Sequence, residues 1–365
     1  MLRRSFVLAL VVTFAGSSTL RAQKEAVKKQ DDAQKKEIQN VVKVVDDVAS
    51  GQPAPDDLSI AWAREDILKA QGNKEYVPFT VTIDPTKVAG GKVAFYWRVV
   101  AKSAAAPTQT EVATSGQKKD DKKDKDKDKK KSDYAYEDVS FVDSTGAAPM
   151  RISRSFTVPA GEYDVFVVAK EPAPDKAPKN APPPKMSVLK HSISVPDYWN
   201  GELNTSSVII AQRIDPLPAP LTDQQRADRP YALGSMEIIP AHDTKFSKKA
   251  ELSTFMLIYN PKTDSANKPD VLVEYNFCQA ATGNEPKPGE PCKAGEKFFN
   301  KTNPQNLNAQ TLPPEFDLAA GHQLQSGQAV PLASFPEGEY RLEVKITDKI
   351  ANKSLTRDVR FSVNP

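Results

Sequence analysis

Pro159-Ala160-Gly161-Glu162-Tyr163 occurs a second time as Pro336-Glu337-Gly338-Glu339-Tyr340. In both copies proline restricts φ, and a glycine two residues on accepts positive φ, so each copy reads as a tight turn. Each turn feeds a strand-like run, Tyr163 to Val168 and Tyr340 to Ile346. The second run alternates apolar and polar side chains, the pattern of a strand with one buried face. The first is more apolar, which suits burial on both faces.

The repeat extends outward from the turns. Phe79 to Pro85 reads like Phe255 to Pro261, Val93 to Val100 like Val271 to Cys278, and Ser187 to Val195 like Ser354 to Val363. The turn and the two matches before it recur at offsets of 176 to 178 residues. That is far longer than the roughly 20–50 residues of a solenoid or propeller repeat. It is domain-sized, and we read it as a tandem duplication. The expected fold is all-β: two tandem immunoglobulin- or fibronectin-like β-sandwiches, 54–196 and 234–365, joined by a junction and linker at 197–233. In the junction, Ser206 to Ala211 reads as a strand opening the second domain, and Ile214 to Pro230, with four prolines, as an irregular crossing. Leu58 to Lys69 is ambiguous: Leu58, Ile60 and Trp62 alternate, but helix formers follow. A strand is expected at its start, with Gly234 to Pro240 as its counterpart.

Residues 1–22 read as a secretory signal peptide: Arg3 and Arg4, an apolar run from Phe6 to Ala15, then small residues to Ala22. The run is too short to span a bilayer, and no later stretch is long enough, so no transmembrane segment is expected in the mature chain. Residues 23–50 read as an amphipathic helix. Its apolar stripe is Ile38, Val41, Val42, Val45 and Val48, ended by Ser50-Gly51-Gln52-Pro53. The stripe suits packing on the first sandwich, or a short coiled coil.

The formal charge of +3 is carried outside the expected folded body. The signal holds three Arg and no acid, and Lys118 to Lys131 holds nine Lys and five Asp, which leaves −4 for the rest. A nucleic-acid partner is therefore not expected, since such proteins carry their basic face on the fold itself. The Lys/Asp run has no apolar area to bury, so 104–133 reads as a disordered insertion in a strand-to-strand loop. Pro172 to Pro184, with six prolines in thirteen residues, reads as a stiff extended loop. The two cysteines, Cys278 and Cys292, are expected to form one structural disulfide in an exported chain.

Several phrases resemble a group of uncharacterised exported β-sandwich proteins of acidobacterial type. They are the repeated turn, Val195-Pro196-Asp197-Tyr198-Trp199-Asn200-Gly201-Glu202-Leu203, and Phe335-Pro336-Glu337-Gly338-Glu339-Tyr340-Arg341-Leu342. The resemblance covers most of Tyr76 to Val363. It implies export to the periplasm or beyond and an immunoglobulin-like fold. In some members similar modules accompany GWxTD-motif or von Willebrand A-like domains. This chain has neither a Gly-Trp-x-Thr-Asp nor an Asp-x-Ser-x-Ser motif, so neither domain is implied, and the group has no activity to carry over. The C-terminal half also resembles the sorting domains of a Bacteroidota-type secretion route, as an echo of fold.

No catalytic residues, cofactor or metal ligands are expected. His191, His242 and His322 lack metal-ligand spacing, and no nucleophile elbow, phosphate loop or dinucleotide fingerprint is present. Asp124, Asp126 and Asp128 lack the glycine and the Glu of a calcium loop. Tyr198 and Trp199 beside Asp197, Asn200 and Glu202 form a possible ligand surface, which suits either sugar stacking or sealing of the domain junction. Asn300 to His322 is long for a compact domain, so it is either packed on the sandwich or functional. The expected function is a non-catalytic binding or assembly module of the cell envelope, with an envelope protein or a polysaccharide as partner. The alternatives are a carbohydrate-binding module using Tyr198 and Trp199, with Trp97 as a further candidate, and an enzyme with a site in the 300–322 loop.

Overall fold

The computed structural model describes residues 36–88, 92–102, 134–144, 149–171, 182–285 and 289–365. The expected signal peptide, the part of the expected helix at 23–35, the Lys/Asp insertion and most of the proline-rich loop lie outside these residues. Among the described residues, twenty-one strands follow a helix, α1 (36–49). The first sandwich holds β1 (Ala61–Glu65), β2 (Leu68–Lys69), β3 (Glu75–Ile83), β4 (Lys92–Ala101), β5 (Tyr136–Asp143), β6 (Met150–Val158), β7 (Gly161–Lys170) and β8 (Met186–Val195). In one sheet β3 lies between β6 and the short pair β1 and β2; the other has the order β5-β4-β7-β8.

The second sandwich begins with β9 (Asn204–Thr205) and β10 (Ile209–Pro216). After a short helix, α2 (Asp223–Asp228), come β11 (Ala232–Leu233), β12 (Met236–Pro240), β13 (Lys245–Ser247), β14 (Glu251–Tyr259) and β15 (Val271–Ala280). The last strands are β16 (Glu296–Lys301), β17 (Gln305–Leu307), β18 (Leu324–Ser326), β19 (Ala329–Pro331), β20 (Gly338–Asp348) and β21 (Lys353–Asn364). One sheet has the order β11-β12-β10-β14-β18, with β9 and β19 also on β14. The other has the order β13-β21-β20-β15-β16, with β17 also on β15.

The sequence matches occupy matching places. The order β5-β4-β7-β8 in one half mirrors β16-β15-β20-β21 in the other, and β3 and β14 centre the facing sheets. Both turns use glycine at positive φ, 154° at Gly161 and 145° at Gly338. Both close with the same bond: the Tyr163 hydroxyl donates to Pro159 O at 2.8 Å, and that of Tyr340 to Pro336 O at 2.7 Å. A Cβ at position 338 would also meet Gln279 Nε2 at 3.3 Å.

Each sandwich buries its own aromatic core. The first holds Phe79, Phe95, Trp97 and Phe156, with Trp97 Nε1 donating to Ser155 O at 3.1 Å. The second holds Tyr275, Phe277, Phe335, Tyr340 and Phe361. The apolar character of β7 has a plain cause. Tyr163, Val165 and Val167 face the core, while Phe166 and Val168 lie under α1 beside Val41 and Val45. The helix stripe is thus spent on the sheet. Lys170 with Glu37, and Arg98 Nη1 with Asp46 at 2.5 Å, add ion pairs between helix and sheet.

Three local expectations change. The first strand starts at Ala61, not Leu58, because Ser59 at φ 49° turns the chain between them. The helix formers after Trp62 lie in that strand, where Glu65 pairs with Phe79. The place of β1 in the second half is taken by β10, which pairs with β14; β12 lies one strand further out. Ile214 to Pro230 is not wholly irregular, since β10 runs to Pro216 and α2 is held by a reciprocal capping box between Thr222 and Gln225.

Candidate binding cleft between the sandwiches

The two sandwiches meet over a third apolar cluster. Ile209, Ala211, Ile238, Phe255 and Leu257 of the second sandwich cover Leu68 of β2, with Tyr198, Tyr231 and Tyr259 around them. Polar bonds fix the contact. Ile67 and Ser207 exchange two bonds, Ile67 N to Ser207 Oγ at 2.9 Å and Ser207 N to Ile67 O at 3.0 Å. Lys69 N donates to the Tyr259 hydroxyl at 3.0 Å, and the Tyr76 hydroxyl to Pro230 O at 2.8 Å.

Asp66 is the buried charge of this junction, 3% exposed. It accepts from Arg64 Nε at 2.5 Å and from the Tyr231 hydroxyl at 2.8 Å, so one carboxylate ties both sandwiches. Burial pushes its carboxyl above the usual range, and the bonds from Arg64 and Tyr231 pull it back only in part. Glu75 is fully buried. Its Oε1 accepts from Tyr198 N at 3.2 Å, while Oε2 has no partner among the described residues. Burial raises this carboxyl too, against the Tyr198 N–H.

Tyr198 and Trp199 separate in role. Tyr198 is 3% exposed and lies against Tyr259, with ring centroids 4.9 Å apart, so its ring seals the junction. Trp199 is 39% exposed. Its Nε1 donates to Lys74 O at 3.1 Å, and Lys69 Nζ sits over its ring at 4.2 Å. Trp97 is buried in the first core. Of the aromatic candidates, Trp199 is the one that presents area to solvent.

Beside the junction opens a cleft of about 1060 Å³. Its walls come from both sandwiches: Arg64, Arg151 and Ser194 on one side, and His242, Asp243 and Arg357 to Arg360 on the other. Arg229 pairs with Glu237, and Arg154 with Asp228 at 3.0 Å, near its rim. No sequence motif marks this cleft, because it exists only where strands about 150 residues apart are brought together.

The other candidate residues serve the fold. Cys278 and Cys292 are joined in a disulfide. Cys278, Cys292 and Glu296 hold ligand-type atoms within 4.8 Å, but the sulfurs are bonded to each other and Glu296 accepts from Arg341, so they form no open metal centre. His191 stacks on Trp62 at 4.2 Å, His242 lines the cleft, and His322 Nδ1 accepts from Asp317 N at 3.0 Å. The three histidines do not form one site. The 300–322 segment packs Leu312, Phe316 and Leu318 on the second core, and Lys268 Nζ donates to Pro314 O at 2.7 Å. Sequence reasoning missed Asp66, Glu75 and Arg341, since a charged residue in or beside a strand reads as solvent-facing.

No helix among the described residues is long and apolar enough to cross a membrane. No protein-family model and no curated protein matches the chain. Among solved structures it is similar to Escherichia coli alpha-2-macroglobulin activated by porcine elastase, at 11% identity and a TM-score of 0.22, over 84% of this chain and 23% of that one. It is similar also to Salmonella alpha-2-macroglobulin reacted with methylamine, at 14% identity and a TM-score of 0.19, over 86% of this chain and 17% of that one. The chain thus spans less than a quarter of the length of the structures it matches, and at this likeness no property of those proteins passes to it.

Proposed function

We propose that this chain is a non-catalytic binding or assembly module of the cell envelope, exported by its N-terminal signal, that engages a protein partner in the cleft between its sandwiches. The observation that carries this reading is the cleft itself: about 1060 Å³, walled by both sandwiches. Its walls are set by the buried Asp66–Tyr231 bond and the part-buried Ile67–Ser207 bonds, so the shape is preformed. The reading is tested by replacing Arg151 and Asp243, one on each wall, with a photo-crosslinking residue in the mature chain and exposing it to its own envelope fraction. One partner protein crosslinked at both positions supports the reading. Crosslinks no richer than those from a position on the far side of the sandwich, such as Lys297, exclude the cleft.

A second reading, carbohydrate binding, is favoured by Trp199, whose partly exposed ring is the kind of surface on which a sugar stacks. Lys69 already lies over that ring, so a sugar would compete with the ammonium or use the opposite face. Trp199→Ala should then abolish retention on a polysaccharide column without shifting the melting midpoint; no retention of the wild type removes this reading.

A further inference from the structure

The wall of the cleft formed by β21 ends in an unfinished sheet. Ser362 N donates to Thr244 O at 2.8 Å, away from β20 and toward the lane of β13. Residues along an antiparallel strand alternate between pointing their N–H and C=O at the partner strand and away from it. The ladder of β21 with β20 is unbroken from Lys353 to Val363. Ser354, Thr356, Asp358 and Arg360 therefore present both backbone groups to the same side as Ser362, with Thr356 O also accepting from Arg357 Nη1 at 3.2 Å. On that side β13 pairs only with Ser362 to Asn364. Among the described residues no strand continues the lane past Ser354 to Arg360, a length of roughly 23 Å. Arg357 to Arg360 and the residues leading into β13, Pro240 to Thr244, line the cleft.

We infer that the cleft is a strand-addition site, in which an extended segment of a partner protein enters along Arg357 to Arg360 of β21, continues along the same edge to Ser354, and extends the lane of β13. The inference rests on the cleft being the binding surface, and it names what binds there. A row of outward N–H and C=O groups at strand spacing is satisfied by another peptide backbone; a sugar or a lipid headgroup does not repeat at that interval. The side chains set the pattern of the segment. Leu355 and Val359 pack partly buried on the second core; on the other face Asp358 is already held by Arg341 and Lys293, and Arg360 stands exposed. A strand with alternating apolar and charged residues fits that edge, with an acid near Arg360. Open edges of this kind invite pairing.

The test uses the mature chain and phage-displayed random dodecapeptides as probe. Enriched peptides should alternate apolar and charged residues. Bound peptide should slow amide exchange at Thr356, Asp358 and Arg360 at least about tenfold, with little change at Arg357 and Val359, which already pair with β20. Thr356→Pro removes an outward N–H and leaves the ladder to β20 in place, so it should weaken binding about tenfold. Thr356→Ala should stay within about twofold. Equal binding by Thr356→Pro, or bound peptide without protection at those three amides, overturns the proposal. If Thr356→Pro does not fold, the exchange pattern of the wild type decides alone. Protection of the same amides on self-association would make a second copy the occupant and exclude a foreign strand. An envelope protein crosslinked in the cleft equally well by Thr356→Pro ends strand addition and leaves the cleft reading standing. Absence of any peptide and any cleft crosslink ends both.

Discussion

Arg341 is 1% exposed and makes the densest charged contacts among the described residues. Nε and Nη2 hold Glu296, at 3.0 and 2.7 Å; Nη1 holds Asp358 at 2.7 Å; Nη2 also donates to Pro291 O at 2.9 Å. Burial alone would raise Glu296, but the bonds from Arg341 and from Lys293 N outweigh it and hold the carboxyl below its ordinary 4.5. Asp358 is likewise held below 3.8, with Lys293 and Arg341 outweighing burial. A depressed carboxyl contributes stability that is complete above its unfolded value and lost as pH falls through its folded value. We therefore expect Glu296→Gln to flatten the loss of stability below about pH 5, read from urea midpoints across pH. Asp66 and Glu75, raised by burial, act oppositely: they cost stability at neutral pH and return it on protonation. Arg341→Met leaves Glu296 buried without its cation and should cost about 3–5 kcal/mol in chemical denaturation. Sequence pattern alone assigned Arg341 to the wet face of an alternating strand. That face is covered by the disulfide loop, which periodicity does not see.

At the scale of elements, α1 is the piece whose sequence and packing agree most directly. Val41 and Val45, one turn apart, are 1% and 0% exposed against Tyr96, Phe166, Val168 and Val188. Five valines make a weak isolated helix, so the docked face supplies its stability. Val45→Asp should release the helix, expose Phe166 and Val168, lower stability by about 2–4 kcal/mol and open a proteolytic site between 36 and 50, detected by limited digestion and mass spectrometry. An unchanged digestion pattern would mean that the helix is not held by this face. The double near-apolarity of β7 carried this information in the sequence. β20, with no helix above it among the described residues, keeps the alternation of a half-wet strand.

For the whole molecule, the relation of the two sandwiches is set by the cluster around Leu68, itself 2% exposed. A junction with an apolar centre and a buried, bonded carboxylate should make the halves unfold together. Calorimetry of the wild type should show one transition. Leu68→Asp places a second carboxyl in that centre beside Asp66 and should split the transition in two, while X-ray scattering reports a larger radius of gyration. Two transitions in the wild type would show that the interface contributes little. Loss of the fixed junction would also widen the cleft, so partner crosslinking should fall with it.

By itself the sequence determined the all-β class, the two-sandwich repeat, the turn geometry around Gly161 and Gly338, the disulfide, and the helix with its buried stripe. Each rests on local periodicity, turn chemistry or the pairing of two cysteines, and such signals lie within a few residues of one another or repeat at a fixed offset. Tertiary structure alone decided that Tyr198 is buried while Trp199 is not, that Asp66, Glu75 and Arg341 are interior, that β10 rather than β12 occupies the place of β1, and that a cleft with an open β21 edge lies between the sandwiches. These depend on which distant surfaces meet. A charge or an aromatic ring carries the same letter whether another domain covers it or water does.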